Sequence, residues 1–233
     1  MTKKFYTSFD SAWNHILLSY YEDGSKYNKK IKLKPYLFIP SALDDAEYES
    51  FDGKPLSKID FDSVKQTRDF VRSYEGVPNF KIYGLPLFHY VYIYDNFKNS
   101  VFDRSILKVL NYDIEVDTTD GYPTHNMADK EINVLTMKLF GSKDIYVLGL
   151  HPYQTKEREL LDLIDKGYRI FYKHCKDERE ILEKFYTIWK KLEPDVVTGW
   201  NIKRFDVPYI IKRASYLFDQ EFVNSLSPFG SLS

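Results

Sequence analysis

The sequence predicts a mixed α/β chain (α+β) of two parts, a small β-rich module over residues 1–104 and an α/β module over 105–233. Three observations carry this reading. The first hundred residues are short apolar runs broken by polar turns and crowded with Tyr and Phe, the composition of half-buried strands. Beyond Arg104, three apolar strand candidates follow one another, the last two separated by only two residues. After them, apolar residues recur at helical intervals over 177–192.

In the first module, Lys32-Leu33-Lys34-Pro35-Tyr36-Leu37-Phe38-Ile39-Pro40 reads as an edge strand, because its prolines cannot donate to a ladder. The acidic run at 44–49 reads as a solvent-facing loop. Residues 62–74 form a predicted helix, with Val64, Phe70 and Val71 as its apolar face and N-cap candidates at 60–63. Phe88-His89-Tyr90-Val91-Tyr92-Ile93-Tyr94-Asp95 alternates in the manner of a strand.

In the second module, 105–116, 131–140 and 143–151 are strand candidates, and Gly141-Ser142 between the last two is a two-residue hairpin signal. An antiparallel meander follows. Residues 169–174 add a short strand. The helix at 177–192 then sets Ile181, Leu182, Phe185, Ile188, Trp189 and Leu192 on one stripe. Pro194 ends it, 195–199 reads as a short buried strand, and 207–217 carries Ile210, Ile211, Ala214 and Leu217 at helical spacing. Pro208 falls in that helix's first turn, where proline is tolerated. The run 225–233, rich in Ser with Pro and Gly, reads as unfinished.

Composition bounds the function. A chain of 233 residues with 43% hydrophobic content can bury two modest cores. The formal net charge of −1 excludes a globally basic coat, so nucleic acid would have to be held in a local groove. The single Cys175 forms no internal disulfide and rules out a cysteine-rich zinc site, which fits a reducing cytoplasm. No stretch approaches the ~20 apolar residues of a membrane span, and no export signal follows the first residues. A cytoplasmic protein with no membrane partner is therefore expected. The five histidines lack metal-ligand spacing. Lys26, Lys29, Lys30, Lys32 and Lys34, interleaved with Tyr27 and Tyr36, read either as a solvated strand edge or as a contact for single-stranded nucleic acid.

The chemistry concentrates in two stretches. In Asn111-Tyr112-Asp113-Ile114-Glu115-Val116, the strand period of two puts Asp113 and Glu115 on one face and Leu110, Tyr112, Ile114 and Val116 on the other. Alone, such a pair reads as a solvated face. It is answered by Gly199-Trp200-Asn201-Ile202-Lys203-Arg204-Phe205-Asp206, with Asp206 at the mouth of a helix, where the backbone dipole is expected to keep it ionised. Three carboxylates converging on one cleft suit hard divalent cations such as Mg²⁺ or Mn²⁺, which act together with substrate phosphates.

The order of three antiparallel strands, a helix, a strand and a helix resembles the ribonuclease H-like fold of two-metal nucleases. The stretch at 111–115 resembles the first exonuclease motif of family B DNA polymerases, and 199–210 resembles the second. Lys34-Pro35-Tyr36-Leu37-Phe38, Phe51-Asp52-Gly53-Lys54-Pro55 and Asp120-Gly121-Tyr122-Pro123 are similar, in the same order, to stretches of the family's members from T-even-like bacteriophages. The resemblance implies an amino-terminal domain followed by a proofreading 3′-5′ exonuclease domain. It implies that Asp113, Glu115 and Asp206 hold two Mg²⁺ (or Mn²⁺), with Glu115 also orienting the attacking water. Asn201 and Phe205 would position the 3′ end, and Tyr122 would contact terminal bases; for either ring, core packing is the alternative. Implied partners are single-stranded and primer-template DNA, a second polymerase chain carrying palm, fingers and thumb, and a sliding clamp, in the host cytoplasm if the chain is phage-encoded. The family's third exonuclease motif, Tyr-x-x-x-Asp on a later helix, is not found in these residues, and neither are the polymerase motifs. The exonuclease domain is therefore expected to be incomplete at its C-terminus and weak or inactive by itself. The alternative is a catalytically inactive nucleic-acid-binding or assembly subunit of a split polymerase.

Overall fold

The structure, a computed structural model, describes residues 3–42, 45–153 and 158–232. The chain divides into two compact units, Met1–Asp103 and Arg104–Ser233.

The first unit begins with β1 (Lys4–Ala12), β2 (His15–Glu22) and β3 (Ser25–Lys32), an antiparallel meander in that order. Asp23 and Gly24 turn β2 into β3 with φ of 50° and 80°, as a primed two-residue hairpin requires. A second sheet contains β4 (Tyr36–Pro40), β5 (Tyr48–Glu49) and β6 (Pro55–Asp60) in the order β4-β6-β5. The stretch expected as one edge strand over 32–40 is thus divided between β3 and β4, and β4 does lie at a sheet edge. In the acidic run, Asp44 lies outside the described residues, and Tyr48 and Glu49 pair with β6 rather than looping freely.

Helix α1 (Val64–Ser73) starts where expected, with Ser63 Oγ accepting from Gln66 N–H at 3.2 Å. Its inward residues are Val64, Thr67 and Phe70, while Val71 faces solvent. Phe88 to Asp95 are not a strand: they form most of α2 (Phe88–Phe97), whose Phe88, Ile93 and Phe97 are buried. Apolar residues at almost every position satisfy a period of two as readily as 3.6, and core packing decides between them. That core comprises Ile16, Leu18, Tyr20, Leu33, Leu37 and Val64 together with the buried α2 residues.

The second unit is built on a five-stranded sheet of β7 (Val109–Val116), β8 (Ile132–Leu139), β9 (Asp144–Gly149), β10 (Arg169–His174) and β11 (Val196–Thr198), ordered β10-β9-β8-β7-β11. β7, β8 and β9 form the expected antiparallel meander, turned at Gly141-Ser142. β10 runs parallel to β9 after α3 (Arg158–Asp165), a helix that sequence reasoning missed. β11 runs parallel to β7. It was expected to be buried but is an edge strand with Val196 45% exposed. This mixed sheet with its helices is the ribonuclease H-like layout, preceded by the β-rich unit.

Helix α4 (Glu178–Leu192) covers the sheet. Asp177 caps it by accepting from Glu180 N–H at 2.8 Å. Ile181, Leu182 and Phe185 are fully buried, and Ile188, Trp189 and Leu192 complete the stripe against the same core. Helix α5 (Asp206–Leu217) follows, then α6 (Gln220–Asn224), capped by Asp219. The tail that reads as unfinished is in part structured. Leu226 O accepts from Trp189 Nε1 at 2.8 Å, and only Ser233 of that run lies outside the described residues.

Candidate active site

The alternation of β7 is as the sequence requires. Leu110, Tyr112 and Ile114 are buried, while Asn111, Asp113 and Glu115 are exposed on the opposite face. Across β8, Asp113 is paired with Thr136 and Glu115 with Val134, so no basic side chain lies directly opposite either acid. On its other edge, β7 is paired with β11 only as far as Asn111, opposite Thr198. The chain then turns away and returns as α5. Asp206 is the first residue of that helix, and its Oδ1 accepts from Ile114 N–H at 3.1 Å. The third acid thus docks on the backbone of the residue between the other two.

The turn that delivers Asp206 is tight. A Cβ on Gly199 would lie 2.7 Å from Tyr112 O and 3.1 Å from Ile202 Cδ1, so only glycine allows this approach. Asn201 has φ of 55°, a left-handed conformation that Asn tolerates better than most residues. Its carbonyl accepts from Arg204 N–H at 2.9 Å and Phe205 N–H at 3.1 Å. Trp200, between them, is 91% exposed beside the site, and sequence reasoning did not single it out. The available signal was its position between a glycine and an asparagine in a turn leading to an acid.

Asp206 is 3% exposed. Burial pushes its carboxyl above the usual carboxylate range, and the charges of Asp113 and Glu115 push the same way. Hydrogen bonds from the Ile114 and Asp206 N–H groups pull it down but do not prevail. At the helix N-terminus, then, burial opposes the ionisation that the backbone dipole favours. Burial and the Asp206 charge likewise hold the Tyr112 phenol far above its ordinary value.

Chemically, three carboxylates fit hard divalent cations, and their mutual repulsion is what a cation would relieve. Among the described residues, no group of three or more His, Cys, Asp or Glu side chains is already arranged to hold a metal ion. Asp206 commits one oxygen to Ile114 N–H, and the charges of Asp113 and Glu115 act on it.

The remaining candidates divide. Asn201 is exposed in the turn. Phe205 is partly buried, with its ring 5.1 Å from that of Tyr209 and packed on the core, which favours packing as its role. Tyr122 is 88% exposed on the 117–131 loop between β7 and β8, just after Gly121 with φ of 104°. Among the described residues, no helix is long and apolar enough to cross a membrane.

Residues 90–233 match the exonuclease domain of DNA polymerase family B. The chain is 28% identical over 248 residues to the DNA-directed DNA polymerase of Enterobacteria phage T4, covering 98% of this chain and 27% of that polymerase. It is 25% identical over 244 residues to the DNA-directed DNA polymerase of Escherichia phage RB69, covering 97% of this chain and 27% of that protein. Over 117 residues it is 39% identical to the DNA polymerase delta catalytic subunit of Drosophila melanogaster, covering 49% of this chain and 10% of the subunit. The chain therefore spans about a quarter of the length of the phage polymerases it matches. With β7 to α6 all inside the matched region, and with likeness to phage polymerases along nearly its whole length, the chain belongs to DNA polymerase family B and carries that family's exonuclease domain.

Proposed function

We propose that this chain is the proofreading 3′-5′ exonuclease part of a family B DNA polymerase, weakly active at most by itself, that hydrolyses the 3′-terminal phosphodiester of single-stranded DNA, with Asp113, Glu115 and Asp206 as the residues that would hold two Mg²⁺ or Mn²⁺ ions. The observation that carries the reading is the docking of Asp206 on Ile114 N–H, which sets three carboxylates around one short segment of β7 across 92 residues of sequence. Divalent ions at such carboxylates supply charge stabilisation to the attacking and leaving oxygens of phosphodiester hydrolysis. Glu115, exposed at the end of β7, orients the attacking water by accepting its proton in a hydrogen bond. Asn201, held left-handed in the turn, offers its amide to the 3′ end. Tyr122 presents an exposed ring on which a terminal base can stack without regard to sequence.

The second reading is a nucleic-acid-binding or assembly subunit of a split polymerase that does not cleave, in line with the lack, among the described residues, of a group already arranged to hold a metal ion. End-labelled single-stranded DNA with Mg²⁺ or Mn²⁺ separates the two. The nuclease reading expects mononucleotide release from the 3′ end, with Asp113→Ala, Glu115→Ala and Asp206→Ala each slowing it by about a hundredfold or more. DNA that is bound but not shortened, with either metal, would leave the binding reading standing.

A further inference from the structure

Helix α5 carries more than Asp206. Asp206, Tyr209, Arg213 and Tyr216 follow one another at spacings of three, four and three, so they lie along one stripe of the helix. Where Asp206 meets β7, the next three meet the loop that leaves β7. Tyr209 Oη donates to Lys130 O at 2.7 Å, Arg213 Nη1 to Ala128 O at 3.1 Å and Tyr216 Oη to Met127 O at 2.8 Å. Glu178, the first residue of α4, completes the grip. Its Oε1 accepts from Ile132 N–H at 2.9 Å and from Arg213 Nε at 2.7 Å, and its Oε2 accepts from Arg213 Nη2.

Glu178 is buried and Arg213 largely so, with side chains 6% and 13% exposed. A buried pair adds little stability compared with an apolar one, so its use lies in fixing geometry. What it fixes is unusual. Ala128 is fully buried with φ of 43°, a left-handed conformation that costs an alanine energy and persists only where its surroundings impose it. The loop is also closed on itself, by Asp117 N–H to Glu131 O at 3.0 Å, Lys130 Nζ to Asp120 at 2.9 Å and Ala128 N–H to Thr124 O at 2.8 Å. Its tip, Gly121-Tyr122, stands in solvent.

We infer that Tyr209, Arg213 and Tyr216, with Glu178, are positioning residues that lock the 117–131 loop to the helix bearing Asp206, so that Tyr122 and the carboxylates meet a single-stranded 3′ end in fixed register. The inference rests on the proposed substrate, but not on cleavage. A strand whose terminal base is held at one point while its last phosphodiester must be presented to the carboxylates at another needs both points on one rigid body. Here one helix supplies that body for both.

The test uses the 233-residue chain and a fluorescently labelled single-stranded oligonucleotide with a free 3′ end, bound in EDTA so that hydrolysis plays no part. Tyr209→Phe combined with Tyr216→Phe keeps both rings and removes only the two hydroxyl donors. Loop amides in this variant are expected to exchange with deuterium about tenfold faster, with β7 amides unchanged, and affinity is expected to fall about fivefold. Arg213→Lys, which keeps the charge facing Glu178 but not the fork, is expected to move both readouts the same way. Tyr122→Ala should also weaken binding, and adding it to the double Phe variant should weaken binding no further, because the hydroxyls act through that ring. Additive losses, a Tyr122→Ala variant that binds like the parent, or loop amides that do not respond would each overturn the inference. The nuclease reading is tested apart from it, by metal-dependent mononucleotide release from the parent chain, a readout in which binding and amide exchange in EDTA play no part.

Discussion

A carboxylate that is buried beside two others stabilises the fold more when protonated than when charged, and Asp206 is such a group. Its folded-state value lies above the ordinary 3.8, through burial first and then through Asp113 and Glu115. The native state therefore binds more protons than the unfolded state between those two values, and stability falls as pH rises through that window. Above it the full cost is present; below 3.8 the carboxyl is protonated in both states and the cost vanishes. Asp206→Asn, which keeps an acceptor for Ile114 N–H, is accordingly expected to melt at a higher temperature than the parent at pH 7 in metal-free buffer. The two melting curves should converge as pH is lowered past the ordinary carboxylate range. Mg²⁺ should then raise the melting temperature of the parent and not of the variant; a parent indifferent to millimolar Mg²⁺ or Mn²⁺ would argue against the metal site itself. Gly199 makes a steric claim of the same kind. A Cβ there would lie 2.7 Å from Tyr112 O, and that neighbour is backbone that cannot swing aside. Gly199→Ala is expected to cost about 1–3 kcal/mol in urea denaturation, the usual range for overpacking, and to displace the turn that delivers Asp206.

At the level of elements, α4 organises the second unit, and two substitutions rank its contributions. Phe185 is 1% exposed, with its ring 5.5 Å from that of Tyr112 on β7. Phe185→Ala is expected to cost about 3–5 kcal/mol by opening a cavity between helix and sheet. Asp177→Ala removes only the cap and should cost about 1 kcal/mol; guanidinium unfolding that reversed this order would show that capping, not packing, holds α4. The same helix shows what a sequence can reveal. Its stripe of six apolar residues between an acidic cap and Pro194 admits one reading, and the structure follows it. The β7-β8-β9 meander was legible for a like reason, since Gly141-Ser142 leaves room for little but a hairpin. Phe88 to Phe97 was not legible, because rings and β-branched residues at nearly every position carry no period, and the burial of Phe88, Ile93 and Phe97 settled it. The edge position of β11 was hidden too: Val196 and Val197 look like core until the pairing order is known.

Across the whole molecule, what sequence could not supply is convergence. The shared face of Asp113 and Glu115 follows from a period of two, but the hydrogen bond from Ile114 to Asp206 spans 92 positions and depends on where β11 stops. The buried Glu178–Arg213 pair was equally invisible, because charged residues in a helix read as its solvated side until another helix is seen packing there. Net charge, by contrast, is read directly, and it constrains the DNA binding proposed above. A value of −1 gives no overall attraction to a polyanion, and the acids of the candidate site repel one locally. Binding must then depend on a few local phosphate contacts, for which exposed Lys203 and Arg204 stand in the turn just before Asp206, together with stacking on exposed rings such as Tyr122. Each phosphate neutralised on a single strand contributes about −0.7 to the slope of log affinity against log salt, so two or three contacts give a slope of about −2 or shallower. Titrating a labelled oligonucleotide at several NaCl concentrations measures it. A slope of about −5 would require some seven neutralised phosphates, more than the neighbourhood of this site offers, and would move the main DNA contact to the lysine-rich β3 strand of the first unit.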